Sequence, residues 1–389
     1  MKHFIEEVFV TEGVPELTFV PPPNFNEILL DIRRPGKPVI IEGQSGTGKT
    51  TCVKKAIEKI SKGQKVNYLT ARDSTDISQI EALANKKPQG TFVIDDFHRL
   101  GDELQTALAD IAKMAAEQPD DIFKLPKLVL IGINQVGSDL IQLVPDIAKR
   151  TGIHRILPGK KSDIQKLIIK GCQELNITIS NHESIFNESK GDYWLTQQLC
   201  QTICSINEVL ESSEAHQAIE FEVDCLRERV VERLKSAYYP AVKEFCRGRR
   251  FRPSNDPYFR LLRAIGQQEN SIVDLNELAN TNAEARGSIN NIKEHRLTVI
   301  LQSKPICSRH FYYNQETKNF AIEDPALFYF LKHLDWNKLR SDCGFRDSPR
   351  DYDWDIAISF AGENRALAKI ISDNLEILDS RVFYDENFE

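Results

Sequence analysis

The segment from Gly43 to Thr50 constrains the fold of this chain more than any other feature of its sequence. It reads Gly-Gln-Ser-Gly-Thr-Gly-Lys-Thr, which is the complete G-x-x-x-x-G-K-[ST] pattern. Its glycines let the backbone turn so tightly that successive amides point at one anion, and the positive end of a following helix adds to that field. An apolar run at residues 38–42 precedes the segment, and a helical pattern follows it to Ile60. The sequence therefore predicts a phosphate-binding loop between a buried strand and a helix.

The same loop predicts where a nucleotide and its metal bind. Lys49 is expected to reach the β and γ phosphates of ATP, and Thr50 to offer its hydroxyl to Mg²⁺. The expected contacts to ATP or ADP are Gly43, Gln44, Ser45, Gly46, Thr47, Gly48, Lys49, Thr50 and Thr51.

Two carboxylates end a second apolar run, at residues 91–94. Asp95 is the expected acid of the metal site, because Mg²⁺ prefers oxygen ligands and is commonly held through water by such a residue. Asp96 is a candidate for polarising the attacking water. The alternative for Asp96 is a capping role at a helix that begins near Leu100.

These segments together resemble AAA-type and STAND-type ATPases. A third apolar run, residues 128–133, ends in Asn134 and is similar to the strand whose polar residue senses the γ-phosphate in those families. Residues 145–150 resemble the segment carrying the arginine finger, so the resemblance implies that Arg150 completes the site of a neighbouring subunit. A solvated arginine at a helix end is the alternative. Asp96 stands where many AAA-type ATPases have glutamate, and its shorter side chain implies slow hydrolysis that suits a switch.

Residues 9–20 resemble the leader that these ATPases fold over the adenine. Val14, Phe19 and Val20 are the candidates for the base pocket, with ordinary apolar packing as the alternative.

The body after residue 160 changes to helical periodicity and resembles the helical lid of the same families. In the lid motif at residues 189–194 the arginine common in those families is missing, and Lys190 is the candidate substitute. Residues 211–222 are interpreted as a polar linker. Helices followed by strands at residues 297–301 and 310–313, with residues 320–325 as the exit, then resemble a winged-helix domain.

A winged helix can bind DNA or pack against the nucleotide domain. A basic segment, Lys243, Arg247, Arg249, Arg250 and Arg252 with Phe245 and Phe251, offers the chemistry of a nucleic-acid contact. The net charge of −7 is concentrated in residues 350–389, which hold ten acidic and four basic residues and leave the rest of the chain at −1. A body so close to neutral favours packing over DNA binding.

The last forty residues show a new pattern of strand, helix and strand. Asp355 to Phe360 and Phe383 to Glu386 resemble the D-x-x-I-S-F and F-Y-D-E stretches that open a TIR domain. We expect an incomplete TIR domain here, because two strands of a parallel sheet cannot bury both faces. In NAD⁺-cleaving TIR domains the catalytic glutamate lies further on, so neither Glu386 nor Glu389 is assigned that role.

The expected fold class is α/β: a P-loop NTPase parallel sheet with helices on both faces, followed by a helical lid, a winged-helix domain and the start of a flavodoxin-like TIR domain. The expected domains are residues 1–160, 161–222, 223–340 and 351–389. No run has the length of a membrane span, so a cytoplasmic location without membrane contact is expected.

The resemblances imply a switch that binds ATP and Mg²⁺, forms a homo-oligomer when triggered, and aligns TIR domains for NAD⁺ cleavage in antiviral defence. Two alternatives stand beside it. One is a DNA-associated AAA-type ATPase similar to origin-recognition or transposition regulators, and the other is an ATP-binding scaffold without turnover.

Overall fold

The computed structural model describes residues 2–43, 46–60, 66–117, 125–132, 151–253, 255–322, 324–345, 354, 356–377, 380 and 382–384. The chain divides into two compact units, residues 1–226 and 227–389. Within the described ranges no helix is long and apolar enough to cross a membrane.

A five-stranded parallel sheet forms the centre of the first unit. Its strands are β1 (Val39–Glu42), β2 (Val66–Thr70), β3 (Gly90–Asp95), β4 (Pro126–Gly132) and β5 (Gly152–Arg155), in the spatial order β2-β3-β4-β1-β5. The middle strands are continuous apolar runs, and both faces of such a sheet must be covered by helices.

Helices cover both faces of this sheet, as the sequence predicted. The helices of this part are α1 (Ile5–Val8), α2 (Phe25–Arg33), α3 (Lys49–Ile60), α4 (Ser74–Lys86) and α5 (Asp102–Glu117). One core cluster joins Ile40, Ile94 and Leu130 to α4 and α5, and another joins Val39 and Ile41 to α2 and α3. Alternate residues of β1 thus belong to opposite cores, which confirms the predicted P-loop α/β class.

The remaining part of the first unit is helical. It contains α6 (Lys161–Leu175), α7 (His182–Ser189) and α8 (Tyr193–Ile206), with the short strands β6 (Ile177–Ile179) and β7 (Gln217–Ile219). The interpretation of residues 211–222 as a linker is wrong in part, because β7 pairs in parallel with β6. The amino end of the chain is fastened nearby, since Ile5 N donates to Leu210 O over 3.0 Å and His3 N to Ser212 Oγ over 3.0 Å.

The long helix α9 (Val223–Cys246) lies mostly in the second unit, which continues as helices around a three-stranded antiparallel sheet. The elements are α10 (Pro257–Gly266), β8 (Ile272–Asp274), α11 (Leu275–Thr281), α12 (Arg286–Ile292), α13 (Arg296–Ser303), α14 (Pro305–Ser308), β9 (Phe311–Asn314), β10 (Asn319–Ile322), α15 (Pro325–Lys332) and α16 (Trp336–Cys343). The sheet order is β8-β10-β9. A helix, a strand, further helices and a closing hairpin make the order of a winged helix.

One predicted strand of this unit is a helix. Residues 297–301 lie inside α13, although Leu-Thr-Val-Ile-Leu has high strand propensity. Leu297 and Ile300 are both fully buried, three residues apart on one helical face, and this packing outweighs local preference. The third strand is supplied by β8, which the sequence analysis did not identify.

The carboxyl-terminal elements follow the predicted order of strand, helix and strand. The strands β11 (Ile356–Ala357) and β12 (Val382–Phe383) pair in parallel, and α17 (Arg365–Ile377) connects them. Arg296 of α13 donates from Nε to Glu376 O over 2.8 Å, which holds the end of α17 against the winged-helix elements.

Candidate nucleotide and metal site

The phosphate-binding loop lies where β1 ends and α3 begins. Lys49 Nζ donates to Gly43 O over 2.9 Å, so the ammonium folds back over the loop. Gly46 and Gly48 have φ of 74° and 85°, the left-handed region that glycine adopts without strain. Thr47 is buried and Thr51 is half-buried, while Gln44 and Ser45 lie outside the described residues. The described part of the loop therefore turns at its two left-handed glycines, between β1 and α3.

Thr50 and Asp95 meet at the edge of the sheet where β1 and β3 both end. Thr50 Oγ1 donates to Asp95 Oδ2 over 2.6 Å, although the residues are 45 positions apart. Burial raises the pKa of Asp95, and the nearby charge of Asp96 adds to the rise, while the Thr50 hydroxyl and Lys49 oppose it. A half-buried carboxylate whose pKa stays raised despite these contacts is one whose ionised form a cation stabilises. Hydroxyl and carboxylate oxygens are also the donor set that suits Mg²⁺.

Asp96 is held by an arginine that the sequence analysis missed. Arg72 donates from Nε to Asp96 Oδ2 over 2.6 Å and from Nη2 to Oδ1 over 2.9 Å, and Thr70 Oγ1 lies 3.2 Å from Oδ2. Asp96 has φ of 56° and makes no side-chain cap to the turn at Phe97–Arg99, and α5 begins six positions later, at Asp102. Because β2 and β3 are neighbours in the sheet, the residues that follow them lie side by side.

Residues of the lid contact the loop directly. Tyr193 N donates to Gly46 O over 3.3 Å, and a Cβ at Gly46 would lie 1.6 Å from a carboxylate oxygen of Asp192. Asp192 also caps α8, because its Oδ1 accepts from Leu195 N over 2.6 Å. A side chain at position 46 is therefore excluded by close approach as well as by φ. Neither Asp192 nor Tyr193 was a candidate from the sequence, since nothing in their spacing marks a contact to the loop.

Trp194 is the last residue of the lid motif at residues 189–194, in which the resemblance led us to seek an arginine. Its Nε1 donates to Thr11 O over 2.7 Å, so this side chain binds the leader. Lys190, the candidate substitute, is exposed and ends α7 in a left-handed conformation with φ of 50°. Trp194 thus contacts the leader, through the carbonyl of Thr11.

The leader is fastened to the lid and to α3 at several points. Thr18 is buried, donates to Val8 O over 3.0 Å and accepts from Gln197 Nε2 over 2.7 Å. Lys170 Nζ donates to Phe19 O over 2.7 Å. On the other side, Glu16 forms an ion pair with Lys55 of α3.

The three adenine-pocket candidates differ in exposure. Val20 is buried, while Val14 and Phe19 are half-buried. The ring of Phe19 contacts that of Phe25 edge to face at 5.8 Å, which places it against α2. Phe19 therefore makes the packing contact named as the alternative, and the base-pocket role stays a prediction.

Two further predicted residues, Asn134 and Arg150, lie in residues 133–150, outside the described part of the chain. Their roles stay predictions.

The aromatic members of the basic segment are engaged in packing. Phe245 is fully buried, with its ring 4.7 Å from that of Phe311. Phe251 stacks beneath Arg247 at 4.6 Å and lies 5.3 Å from Phe345. The prediction of an aromatic patch open to bases is wrong for Phe245, because this residue faces the core side of α9.

No family model matches the chain, and no curated protein is significantly similar to it. Among solved structures, it is similar to a Walker-type ATPase of Pyrococcus abyssi, with 13% identity, a TM-score of 0.48, and coverage of 82% of this chain and 100% of that one. The RuvB Holliday junction branch migration motor of Thermotoga maritima matches with 15% identity, a TM-score of 0.40, and coverage of 77% and 89%. Cdc6p of Pyrobaculum aerophilum matches with 14% identity, a TM-score of 0.39, and coverage of 87% and 98%. Likeness at this level assigns neither family nor function.

Proposed function

We propose that this chain binds ATP with Mg²⁺ and hydrolyses it. The observation that carries the proposal is the 2.6 Å contact between Thr50 Oγ1 and Asp95 Oδ2 at the end of the phosphate-binding loop. A glycine-rich turn that matched the motif by chance would not be expected to place a hydroxyl and a half-buried carboxylate together at the carboxyl edge of a parallel sheet. That edge is also where open α/β sheets bind their ligands.

The chain's own groups divide the work between phosphates and metal. The amides of the loop and the ammonium of Lys49, now on the Gly43 carbonyl, bind phosphate oxygens. Thr50 and Asp95 hold Mg²⁺, which offsets the charge that develops on the transferring phosphate. Asn134 is proposed to orient the attacking water.

Slow turnover is part of the proposal. A carboxylate that accepts a proton or orients water needs an oxygen available for that water. In Asp96, both carboxylate oxygens accept hydrogen bonds from Arg72, one from Nε and one from Nη2. Hydrolysis then requires Arg72 to release Asp96. This behaviour suits a protein that stays in its ATP state for long periods.

Calorimetric titration with Mg²⁺–ATP tests the proposal. Lys49→Ala is expected to lose binding, whereas Lys54→Ala on the same helix is expected to retain the affinity of the unaltered chain. Equal affinity in the Lys49→Ala and Lys54→Ala proteins would exclude the loop as the binding site.

For the output of the ATPase, we propose a switch that assembles on ATP and carries a TIR effector. Its support is the resemblance of residues 355–360 and 383–386 to a TIR opening, together with the parallel pairing of β11 and β12 around α17. NAD⁺ is the proposed substrate of a complete TIR domain. Fluorescence of an etheno-NAD⁺ analogue, measured on the chain with and without a complete TIR domain, tests this. Cleavage that persists at full rate with Lys49→Ala would show that the ATPase does not control it.

A DNA-associated ATPase is the second candidate, supported by the winged-helix order of the second unit. Lys243, Arg249, Arg250 and Arg252 remain the candidates for phosphate contacts. Fluorescence anisotropy with duplex DNA at two salt concentrations distinguishes the candidates. Binding that weakens steeply with salt and with Arg250→Gln favours this function. If the chain binds ATP but neither hydrolyses it nor binds DNA, the result would favour the third candidate, an ATP-binding scaffold without turnover.

A further inference from the structure

A cavity of about 240 Å³ opens in the second unit between α10, the loop before α12, and α16. Its lining is mostly polar and includes three arginines, Arg260, Arg263 and Arg340, set on two different helices. We call this cavity the arginine pocket. All of its lining residues belong to the second unit, so it is a site separate from the phosphate-binding loop.

A buried carboxylate fixes two of these arginines. Asp256 is only 3% exposed, and its Oδ1 accepts from Arg260 Nε over 2.8 Å while its Oδ2 accepts from Arg340 Nη1. Burial alone raises the pKa of Asp256, but the hydrogen bonds from Arg340 and Arg260 outweigh it and lower that pKa below its usual range. Asp256 is therefore ionised at neutral pH and holds both guanidinium groups in place.

Aromatic rings add to this fixation. The guanidinium of Arg340 lies 5.5 Å from the ring centre of Phe259 and 5.6 Å from that of Phe345. A guanidinium held by a carboxylate and by two rings loses little conformational entropy when it binds a ligand. The pocket is thus organised in advance of any ligand.

Hydrogen-bond donors outnumber acceptors in the arginine pocket. Asn282 Oδ1 accepts from Ala285 N over 3.0 Å, which fixes the side-chain amide and leaves its NH₂ group as the donor. Arg260 keeps N–H groups beyond those that bind Asp256 and Glu284 O. Arg263 is exposed and makes no hydrogen bond or ion pair with any residue that the structure describes. The two acids of the lining, Asp256 and Glu284, leave one positive charge in excess.

We propose that the arginine pocket binds the phosphate group of a small molecule. An anion supplies the acceptors that the pocket lacks and balances its excess charge. A phosphate monoester has three terminal oxygens, so it can use guanidinium and amide donors on several elements at once, whereas a carboxylate satisfies fewer. The limited volume favours a small ligand over a polymer, since larger ligands occupy cavities of about 300 Å³ and more.

Two substitutions test the proposal without removing the ion pairs of Asp256. Arg263→Gln removes an exposed charge that has no structural partner among the described residues. Asn282→Asp keeps the oxygen that accepts from Ala285 N but replaces the donor NH₂ with an anionic oxygen. Arg309→Gln is the matched control, because Arg309 is an exposed arginine of the same unit outside the pocket.

Calorimetry on the full chain is carried out with inorganic phosphate, glycerol 3-phosphate, acetate and a single-stranded oligonucleotide as separate probes. All proteins carry Lys49→Ala, so that phosphate binding at the loop is suppressed equally. We expect both phosphates to bind the control, to bind at least about tenfold more weakly to Arg263→Gln, and to be undetectable with Asn282→Asp. The melting temperature of Asn282→Asp should stay close to that of the control, since an aspartate oxygen can still accept from Ala285 N.

Three outcomes would overturn the proposal. One is equal phosphate affinity in the two pocket variants and the Arg309→Gln control. Another is acetate binding as tightly as phosphate. The third is oligonucleotide binding that depends on Arg263 while neither small phosphate binds, which would assign the pocket to nucleic acid. Failure of ATP binding at the loop leaves this test unaffected, because the pocket variants are compared in a background without Lys49.

Discussion

At the scale of single residues, the charge of Asp95 is the feature with the clearest consequence. Its carboxylate is half-buried, and this burial raises its pKa, so ionisation is less favourable than in water unless a cation binds. For an acid whose folded pKa is raised, the folded state binds protons more tightly than the unfolded state. Its contribution to stability is therefore lost as pH rises through the folded pKa.

The first prediction follows for Asp95→Asn. The asparagine oxygen still accepts the Thr50 hydroxyl, but the negative charge is gone. We expect Mg²⁺–ATP affinity to fall by at least about tenfold, while ATP binding in EDTA stays within about twofold. The nucleotide-free variant should melt higher than the unaltered chain at neutral pH. Calorimetry with and without Mg²⁺ checks the first expectation and thermal unfolding the second; an equal loss of both affinities would make Asp95 a structural residue only.

The second prediction concerns the pair of Arg72 and Asp96. Arg72→Gln removes the two-point contact that holds Asp96, so ATP turnover should rise by about tenfold while ATP affinity stays the same. The Arg72 side chain is 48% exposed, and an ion pair of that kind contributes less than about 1 kcal/mol to folding. Steady-state phosphate release is the measurement, with Arg33→Gln, an exposed arginine of α2, as the control.

A fall in turnover would reverse this assignment. It would show that Arg72 positions Asp96 for catalysis and that slow hydrolysis has another origin.

At the scale of elements, a half-buried lysine connects α2 to the sheet. Lys127, near the start of β4, donates from Nζ to Asp31 O over 2.9 Å and to Arg34 O over 3.0 Å, and also to Lys37 O. Burial, with a smaller contribution from the charge of Lys37, lowers the pKa of Lys127 to about 7, against the attraction of Asp31. The carbonyls at the end of α2 are thereby satisfied by a residue of another element.

The third prediction is a pH dependence of stability that belongs to this contact. Between about pH 7 and the usual lysine pKa near 10.4, the unfolded chain binds a proton that the folded chain does not, so stability rises with pH. In Lys127→Met that rise should be smaller, and the variant should be less stable at every pH by about 1 to 3 kcal/mol, because the α2 carbonyls lose their donor. Urea unfolding at pH 7 and pH 9 measures both. Parallel pH profiles for the two proteins would exclude Lys127 as the titrating group.

The elements also show how far the sequence could predict the structure. The strands β1, β3 and β4 were predicted correctly because each is a short apolar run that ends at a motif or polar site residue. Such runs are typical of strands buried on both faces of a parallel sheet. Residues 297–301 were assigned to the wrong element, since local strand propensity is weaker than burial of Leu297 and Ile300 on one helical face. β8 is too short to show alternation.

The candidate site divides in the same way. The contiguous part of the site, Gly43 to Thr50, could be predicted from the sequence motif. Asp95 could be predicted because a carboxylate at the end of an apolar strand suits Mg²⁺. Arg72 and Asp192 do not, because their contacts depend on the order of strands in the sheet and on the position of the lid. No local pattern in a sequence encodes either of these.

At the scale of the whole molecule, the proposed finger residue Arg150 ties turnover to assembly. The fourth prediction is that ATP turnover per chain rises with protein concentration, and that Arg150→Ala removes this rise. The loss in the assembled form should be on the order of a thousandfold, as for arginine fingers supplied in trans, with the monomer's ATP affinity unchanged. Phosphate release across a concentration series, paired with light scattering, is the measurement. Turnover independent of concentration in the unaltered chain would remove the reason for assigning a finger.

The leader has a mechanical consequence. It contacts the lid at Thr11 and Thr18, through Trp194 and Gln197. Between these two points, Glu16 forms an ion pair with Lys55 of α3. Because the same short segment contacts both the lid and α3, a displacement of the lid changes the contacts of α3 as well. A movement of the lid relative to α3 would therefore have to break the Glu16–Lys55 ion pair or the lid contacts at Thr11 and Thr18.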